Sequence, residues 1–140
     1  MLNSSHIKTN IKASDWREAI RAAGEILVEV GSCETTYIDT MINAVEELGP
    51  YIVITPHVAL AHARPSADIK KADMSLVVLD EAVEFGSAAN DPVKLVFAFC
   101  ATDNESHLEL LGSLANKLNP ETINELLDAK SVDDVLAILN

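Results

Sequence analysis

Residues 94–100 read KLVFAFC, a short apolar run rich in Phe, Leu, Val and Ala. Two runs of the same kind precede it, YIVI at 51–54 and MSLVVL at 74–79. All three are shorter than typical helices and are bounded by Pro, Gly, Asn or Asp, which favours buried β-strands. The segment FGSAANDP at 85–92 indicates a turn and loop between the last two runs. The centre of the chain is therefore predicted to build a sheet.

Helical patterns flank this centre on both sides. The predicted N-caps of four helices are Ser14 or Asp15, Thr102, Asn119 and Ser131. A fifth helix is expected at 34–48, and the apolar stripes place Leu48 and Leu108 on buried helix faces. This order of elements predicts an α/β fold, a single-domain sandwich over residues 1–140 with a central mixed β-sheet flanked by helices.

The composition narrows the possible functions. The chain has 22 acidic against 10 basic residues and a net charge of −12, which argues against nucleic acid as a partner. Cys33 and Cys100 are too few and too far apart to suggest a disulfide framework or a cysteine zinc site. No apolar run is long enough for membrane insertion, and the first residues lack the pattern of a signal peptide. We therefore expect a cytoplasmic protein.

One stretch concentrates polar groups of chemical interest. The sequence ITPHVALAHARP at 54–65 contains His57 and His62, and its two prolines indicate a stiff loop between strands, a usual place for a functional group. Arg64, Lys70 and Lys71 follow closely and form either a solvated loop or a cationic patch that holds an anion such as phosphate.

A third histidine, His107, is predicted in the first turns of the helix that begins near residues 102–104. The start of a helix offers free backbone N–H groups and the positive end of the helix dipole, both of which favour an anion. A loop histidine facing His107 would thus combine a nucleophilic nitrogen with a pocket for an anion.

Four interpretations of these histidines remain open from the residues alone. They are structural groups without chemistry, or His57, His62 and His107 together bind a metal ion, although a spacing of five residues is unusual for that purpose. In a third interpretation His62 is the general base for Ser66 or Ser113 in a hydrolase, yet no nucleophile-elbow pattern is present. In the fourth, a histidine is itself the nucleophile and carries a phosphoryl group.

Three longer stretches carry a family resemblance. They are VITPHVALAHARP at 53–65, IKKADMSLVVLDEAVEFG at 69–86 and NDPVKLVFAFCATDNESH at 90–107. In order and spacing they resemble the enzyme IIA domain of the mannitol/fructose class (type 2) of the phosphoenolpyruvate:sugar phosphotransferase system. The H-x-R-P pattern that begins at His62 is most similar to the ascorbate-type branch. The likeness runs from the first helix to SVDDVLAIL near the end and is strongest at 49–114.

The resemblance implies a cytosolic phosphotransferase that needs no metal or organic cofactor. A histidine would accept a phosphoryl group from the small protein HPr and donate it to a cysteine of an enzyme IIB component, which serves a membrane IIC permease. This chain would not itself insert into the membrane. A regulatory alternative is the nitrogen-type branch, which controls partner proteins by its phosphorylation state.

The same resemblance suggests roles for individual residues. His62 matches the phosphorylated histidine of the family, and His57, which follows Pro56, is the alternative nucleophile. His107 is expected to donate a hydrogen bond to the phosphoryl oxygens. Arg64 is the candidate electrostatic clamp on phosphate, since the helix before the loop carries no base. HPr is expected to dock on an apolar rim formed by residues 58–60.

Overall fold

The central sheet of the computed structural model, which describes residues 2–140, has five strands. They are β1 (Ile7–Ile11), β2 (Val53–Thr55), β3 (Val58–Ala61), β4 (Asp73–Val83) and β5 (Val93–Cys100). The five α-helices are α1 (Trp16–Glu29), α2 (Thr35–Leu48), α3 (Asn104–Lys117), α4 (Pro120–Leu127) and α5 (Val132–Leu139). A short 3-10 helix, Ser4–His6, precedes β1.

The sheet is mixed, as the sequence predicts. Its strand order is β1-β4-β5-β3-β2, with β1 parallel to β4, β5 antiparallel to β4, β3 parallel to β5 and β2 antiparallel to β3. Helices α1 and α2 pack on one face, and residues of α3, α4 and α5 pack on the other. The α/β sandwich is thereby confirmed.

The position of strand β5 explains why its sequence is apolar without interruption from Leu95 to Cys100. The side chains of Val96, Ala98 and Cys100 belong to the core beneath α1 and α2. Those of Leu95, Phe97 and Phe99 belong to the core on the side of α3, α4 and α5. Successive residues of a strand point to opposite faces, so a strand covered on both faces needs apolar residues at every position.

The predicted loop at 54–65 is wrong in part, because β3 lies within it. Val58, Ala59 and Leu60 pair in register with β5, and each is at most 3% exposed. The prolines mark the flanks of this strand, and a tight turn between β2 and β3 holds His57 at a φ of 74°. These three residues are core, so they do not form the apolar rim that the sequence suggested.

The predicted helix caps at Asp15, Asn119 and Ser131 are confirmed, since each side chain accepts a hydrogen bond from a backbone N–H in the first turn. The cap predicted at Thr102 is wrong. Asp103 takes that place, with its carboxylate accepting from Ser106 N at 2.7 Å.

Two apolar positions also differ from the prediction. Leu48 is 72% exposed and Leu108 is 67% exposed, because they lie in the last turn of α2 and the first turns of α3, away from the two cores. No helix in the described part of the chain, residues 2–140, is both long and apolar enough to cross a membrane.

The packing of α1 on α2 generates a stability prediction. A Cβ added to buried Gly24 would lie 2.7 Å from the Ile38 Cγ1 atom, and Ile38 is fully buried. Overpacking lowers the free energy of unfolding by about 1–3 kcal/mol. The higher helix propensity of alanine relative to glycine offsets about 1 kcal/mol of that loss. We expect Gly24→Ala to lower the free energy of unfolding by about 1 kcal/mol, measured by urea denaturation.

Gly112→Ala is the matched control, since Gly112 also lies within a helix but a Cβ there meets nothing within 4 Å. We expect this variant to raise the free energy of unfolding by about 0.5–1 kcal/mol. Equal effects of the two substitutions would contradict the close approach of α1 and α2.

Candidate functional site

The site lies where β3 and β5 end at the same edge of the sheet. The two strands are parallel, and Leu60 pairs with Phe97 and Ala61 with Ala98. Extending that register by one residue brings His62 beside Phe99, on the same face of the sheet. The two rings are stacked, with centroids 4.9 Å apart and planes inclined by 18°. Strand pairing therefore sets the position of the His62 imidazole.

A backbone hydrogen bond fixes the tautomer of His62. Its Nδ1 atom lies 2.8 Å from the carbonyl oxygen of Leu60, which only accepts hydrogen bonds. Nδ1 must therefore carry the proton and donate it. In the neutral ring, the lone pair then lies on Nε2, and that atom is the available nucleophile.

His107, from the first turn of α3, is the nearest titratable partner of His62. The two imidazoles meet edge to face, with centroids 5.3 Å apart. His107 also contacts Phe99, at a centroid distance of 5.0 Å. No hydrogen bond to another residue of the described chain, 2–140, engages the His107 ring, so its nitrogens are available to a bound group.

Burial favours the neutral form of both imidazoles. It lowers the pKa of His62 below the usual value, and the nearby His107 lowers it further, whereas the hydrogen bond to Leu60 acts in the opposite direction. Burial also lowers the pKa of His107. At neutral pH the Nε2 lone pair of His62 is consequently free to react.

A cleft of about 480 Å³ opens beside these rings. Its lining residues carry no carboxylate: Thr40, Ala44, Leu48, Tyr51, His62, Ala63, Arg64, Pro65, Ser66 and His107. On a chain with a net charge of −12, such a cleft suits an anion. Arg64 is exposed, and no hydrogen bond or ion pair within residues 2–140 engages its guanidinium. Lys70 and Lys71 are exposed as well but do not line the cleft.

The other histidine of the motif lies away from this cleft. His57 precedes β3 and His62 follows it, so their Cα atoms are roughly 16 Å apart along an extended strand. His57 Nδ1 bonds to the carbonyl oxygen of Pro92 at 2.7 Å, and its backbone bonds to Asn90 and β5. The structure brings His62 and His107 together and leaves His57 at the opposite end of β3.

The alternative chemistries find little support in the same geometry. Among residues 2–140, no group of three or more His, Cys, Asp or Glu side chains is placed to hold a metal ion. Ser66 lines the cleft, but its hydroxyl bonds to Asp68 and not to His62. At the start of α3 the Asp103 carboxylate already accepts from a free N–H, so the anion expected there meets a resident negative charge.

Two exposed apolar side chains line the cleft. Leu48 is 72% exposed and Tyr51 is 41% exposed. We call these two residues the apolar rim. Exposed apolar side chains at the edge of a cleft are typical of a protein-docking site.

The sequence did not single out three residues that hold His62. Phe99 stacks on its ring, while the Tyr51 hydroxyl donates to its carbonyl oxygen at 3.1 Å. The Tyr37 hydroxyl bonds to Ala63, the next residue, and to Phe99. Phe99 would follow from the period-two pattern once β3 was known to pair with β5. Nothing in the sequence points to the two tyrosines.

Comparisons with known proteins support one family. The family model for the "Phosphoenolpyruvate-dependent sugar phosphotransferase system, EIIA 2" matches residues 1–140. The chain is 30% identical, over 100% of its length and 92% of the relative, to an ascorbate-specific PTS system EIIA component of Salmonella choleraesuis.

Two solved structures of phosphotransferase-system proteins are also similar to the chain. The chain is similar to enzyme IIAMtl of Escherichia coli in its complex with phosphorylated enzyme IIBMtl, with a TM-score of 0.87, 32% identity, and coverage of 99% and 96% of the two chains. It is also similar to the nitrogen regulatory protein IIA-Ntr of Neisseria meningitidis, with a TM-score of 0.81, 28% identity, and coverage of 99% and 95%.

The environment of His62 generates a titration prediction. His107→Ala removes both buried surface and a neighbouring titratable group, so the pKa of His62 should rise towards its usual value. Ring ¹H–¹⁵N NMR over a pH series measures this pKa and the tautomer, which should be Nδ1–H. His57→Asn is the matched control and should leave the titration of His62 unchanged. An Nε2–H tautomer at neutral pH would contradict the assigned nucleophilic atom.

Proposed function

The chain belongs to the EIIA type 2 family of the phosphoenolpyruvate-dependent sugar phosphotransferase system, and from that membership we propose that it carries the phosphoryl group on Nε2 of His62. The protein is a phosphotransferase that acts through a phosphohistidine and passes the phosphoryl group to an enzyme IIB component. The observation that carries the assignment to His62 is its fixed Nδ1–H tautomer beside His107 in an acid-free cleft.

The first half-reaction needs a free lone pair and a place for negative charge. Nε2 of His62 attacks phosphorus, the new N–P bond forms, and the bond from phosphorus to the donor breaks, with its electron pair returning to the donor. The ring becomes more positive as the bond forms, and the carbonyl oxygen of Leu60 stabilises it through the Nδ1–H hydrogen bond. Catalysis otherwise rests on positioning and on charge stabilisation.

His107 and Arg64 are the groups that we assign to the phosphoryl oxygens. Both line the cleft with His62, and both donate N–H groups. The expected anion site at the start of α3 has no part here, because Asp103 is present there. In the second half-reaction a thiolate of enzyme IIB attacks phosphorus, and the N–P bond breaks with its electrons returning to Nε2.

The partners follow from the family and from the apolar rim. We propose that phospho-HPr is the donor and that it docks on Leu48 and Tyr51, the exposed apolar side chains that line the cleft. The acceptor is a cysteine of enzyme IIB, which serves a membrane IIC permease, and the reaction takes place in the cytoplasm. The chain's acidic surface would speed the encounter with a basic partner.

Two physiological roles fit the same site. We favour coupled uptake of ascorbate or another carbohydrate, because the similar relative from Salmonella choleraesuis is described as ascorbate-specific. The alternative is regulation of partner proteins, and the observation that favours it is the similarity to IIA-Ntr of Neisseria meningitidis. Transfer of labelled phosphate to a purified ascorbate-type enzyme IIB would support uptake, and its failure beside intact labelling of this chain would favour regulation.

Labelling with phosphoenolpyruvate, enzyme I and HPr tests the site. We expect His62→Ala to abolish acid-labile phosphate and His107→Ala to slow its formation by roughly 100-fold, as for loss of one charge-stabilising donor. Mass mapping at alkaline pH identifies the modified residue. Labelling that persists in His62→Ala and disappears in His57→Asn would transfer the role to His57.

Arg64 has a matched control in Lys70, an exposed base outside the cleft. Arg64→Ala and Lys70→Ala remove the same charge, so a clamp on phosphate predicts slower labelling for the first variant only. Equal rates for the two variants would remove Arg64 from the site.

The apolar rim generates a separate prediction about docking. Leu48→Ser should raise the KM for phospho-HPr roughly tenfold, as for loss of one interface anchor, with kcat nearly unchanged. Ile54→Ser is the control, because Ile54 is 49% exposed on β2 and does not line the cleft. A similar KM for both variants would place the docking surface elsewhere.

A further inference from the structure

Two tyrosine hydroxyls bond to opposite edges of one peptide unit. The peptide that joins His62 to Ala63 has the carbonyl of the first residue on one edge and the N–H of the second on the other. Tyr51 donates its hydroxyl hydrogen to that carbonyl at 3.1 Å. Tyr37 accepts from that N–H at 2.9 Å. The unit held in this way is the one immediately after the proposed nucleophile.

The position of this peptide explains why it needs such partners. Strand β3 pairs with β5 only as far as Ala61, so the sheet no longer holds the backbone of the next two residues. Tyr37 replaces the missing pairing, because its hydroxyl also donates to the carbonyl oxygen of Phe99 on β5 at 2.9 Å, with the Ala63 carbonyl at 3.2 Å as a second acceptor. One hydroxyl thus joins the two strands beyond their last paired residues.

The two tyrosines differ in their surroundings. Tyr37 is fully buried beneath the sheet, and burial raises its pKa well above the usual value, so its hydroxyl stays protonated. Tyr51 is 41% exposed at the cleft, and its ring and the His62 imidazole meet edge to face, with centroids 5.5 Å apart. Tyr37 fixes the peptide from the core, and Tyr51 fixes it from the solvent side.

We propose that Tyr37 and Tyr51 are positioning residues for the phosphoryl-transfer reaction. Their hydroxyls hold the His62–Ala63 peptide so that the imidazole stays stacked on Phe99 beside His107. Neither hydroxyl touches the reacting atoms. Their effect passes through the backbone, since a fixed peptide plane fixes the Cα–Cβ bond of His62 and thereby the direction of Nε2. The proposal rests on the proposed function of His62.

The test compares Tyr37→Phe and Tyr51→Phe, which keep the rings and remove only the hydroxyls. We expect Tyr37→Phe to lower kcat for phosphoryl transfer from phospho-HPr on the order of tenfold, with an unchanged KM, because a misdirected nucleophile slows chemistry and not docking. Tyr51→Phe should act in the same direction. Ser75→Ala is the control, since it removes another buried hydroxyl that bonds to a backbone carbonyl, that of Ala23, at 2.7 Å.

NMR of the free protein provides a second readout that needs no phosphoryl donor. If the peptide loosens, the His62 ring becomes better solvated and its titration moves towards the usual value in Tyr37→Phe, but not in Ser75→Ala. A wild-type protein that fails to label while this shift occurs would defeat the proposed function, and with it the role in phosphoryl transfer, but would still show that Tyr37 holds the His62 ring.

A different result would overturn the positioning role and leave the proposed function of His62 intact. Normal labelling of the wild type, with Tyr37→Phe matching Ser75→Ala in both kcat and His62 titration, overturns the positioning role alone. Should Tyr37→Phe not fold, Tyr51→Phe decides by the same two measurements, because Tyr51 lies outside both cores.

Discussion

The stacking of His62 on Phe99 is the contact on which the site depends. It exists because β3 and β5 run parallel and in register. His62, the residue after β3, therefore comes beside Phe99, the next-to-last residue of β5. The same contact removes water from the imidazole and helps to keep it neutral. A neutral ring with one nitrogen already hydrogen-bonded to Leu60 has a single reactive atom. Sheet geometry thus determines which atom is the proposed nucleophile.

Much of the fold is readable from the sequence because each element has a local signal. The buried run at 94–100 becomes β5, and Asp15, Asn119 and Ser131 cap helices by side-chain hydrogen bonds to N–H groups three residues on. Strand β3 is harder to read, because its four residues lie between prolines and histidines that are typical of a loop. Its strand character comes from pairing with β5, a partner more than thirty residues away.

The residues of the candidate site likewise divide into those that have a sequence signal and those that have none. His62, His107 and Arg64 are suggested by the family resemblance, and the structure brings all three to one cleft. The tyrosines that hold the peptide after His62 carry no sequence signal, because each acts across more than ten residues through a backbone atom. Leu48 and Leu108 mislead for a related reason. Helical periodicity identifies an apolar face, but it does not reveal where the helix extends past the core that would cover it.

The way His62 is held has a consequence for the proposed phosphoryl transfer. Its ring is stacked on Phe99, bonded to Leu60 and bordered by Tyr51, and the residue lines a single cleft. In the proposed reaction, the phosphoryl donor and the acceptor would therefore occupy the same cleft in turn. The maximal rate of such a carrier would depend on how quickly each partner dissociates.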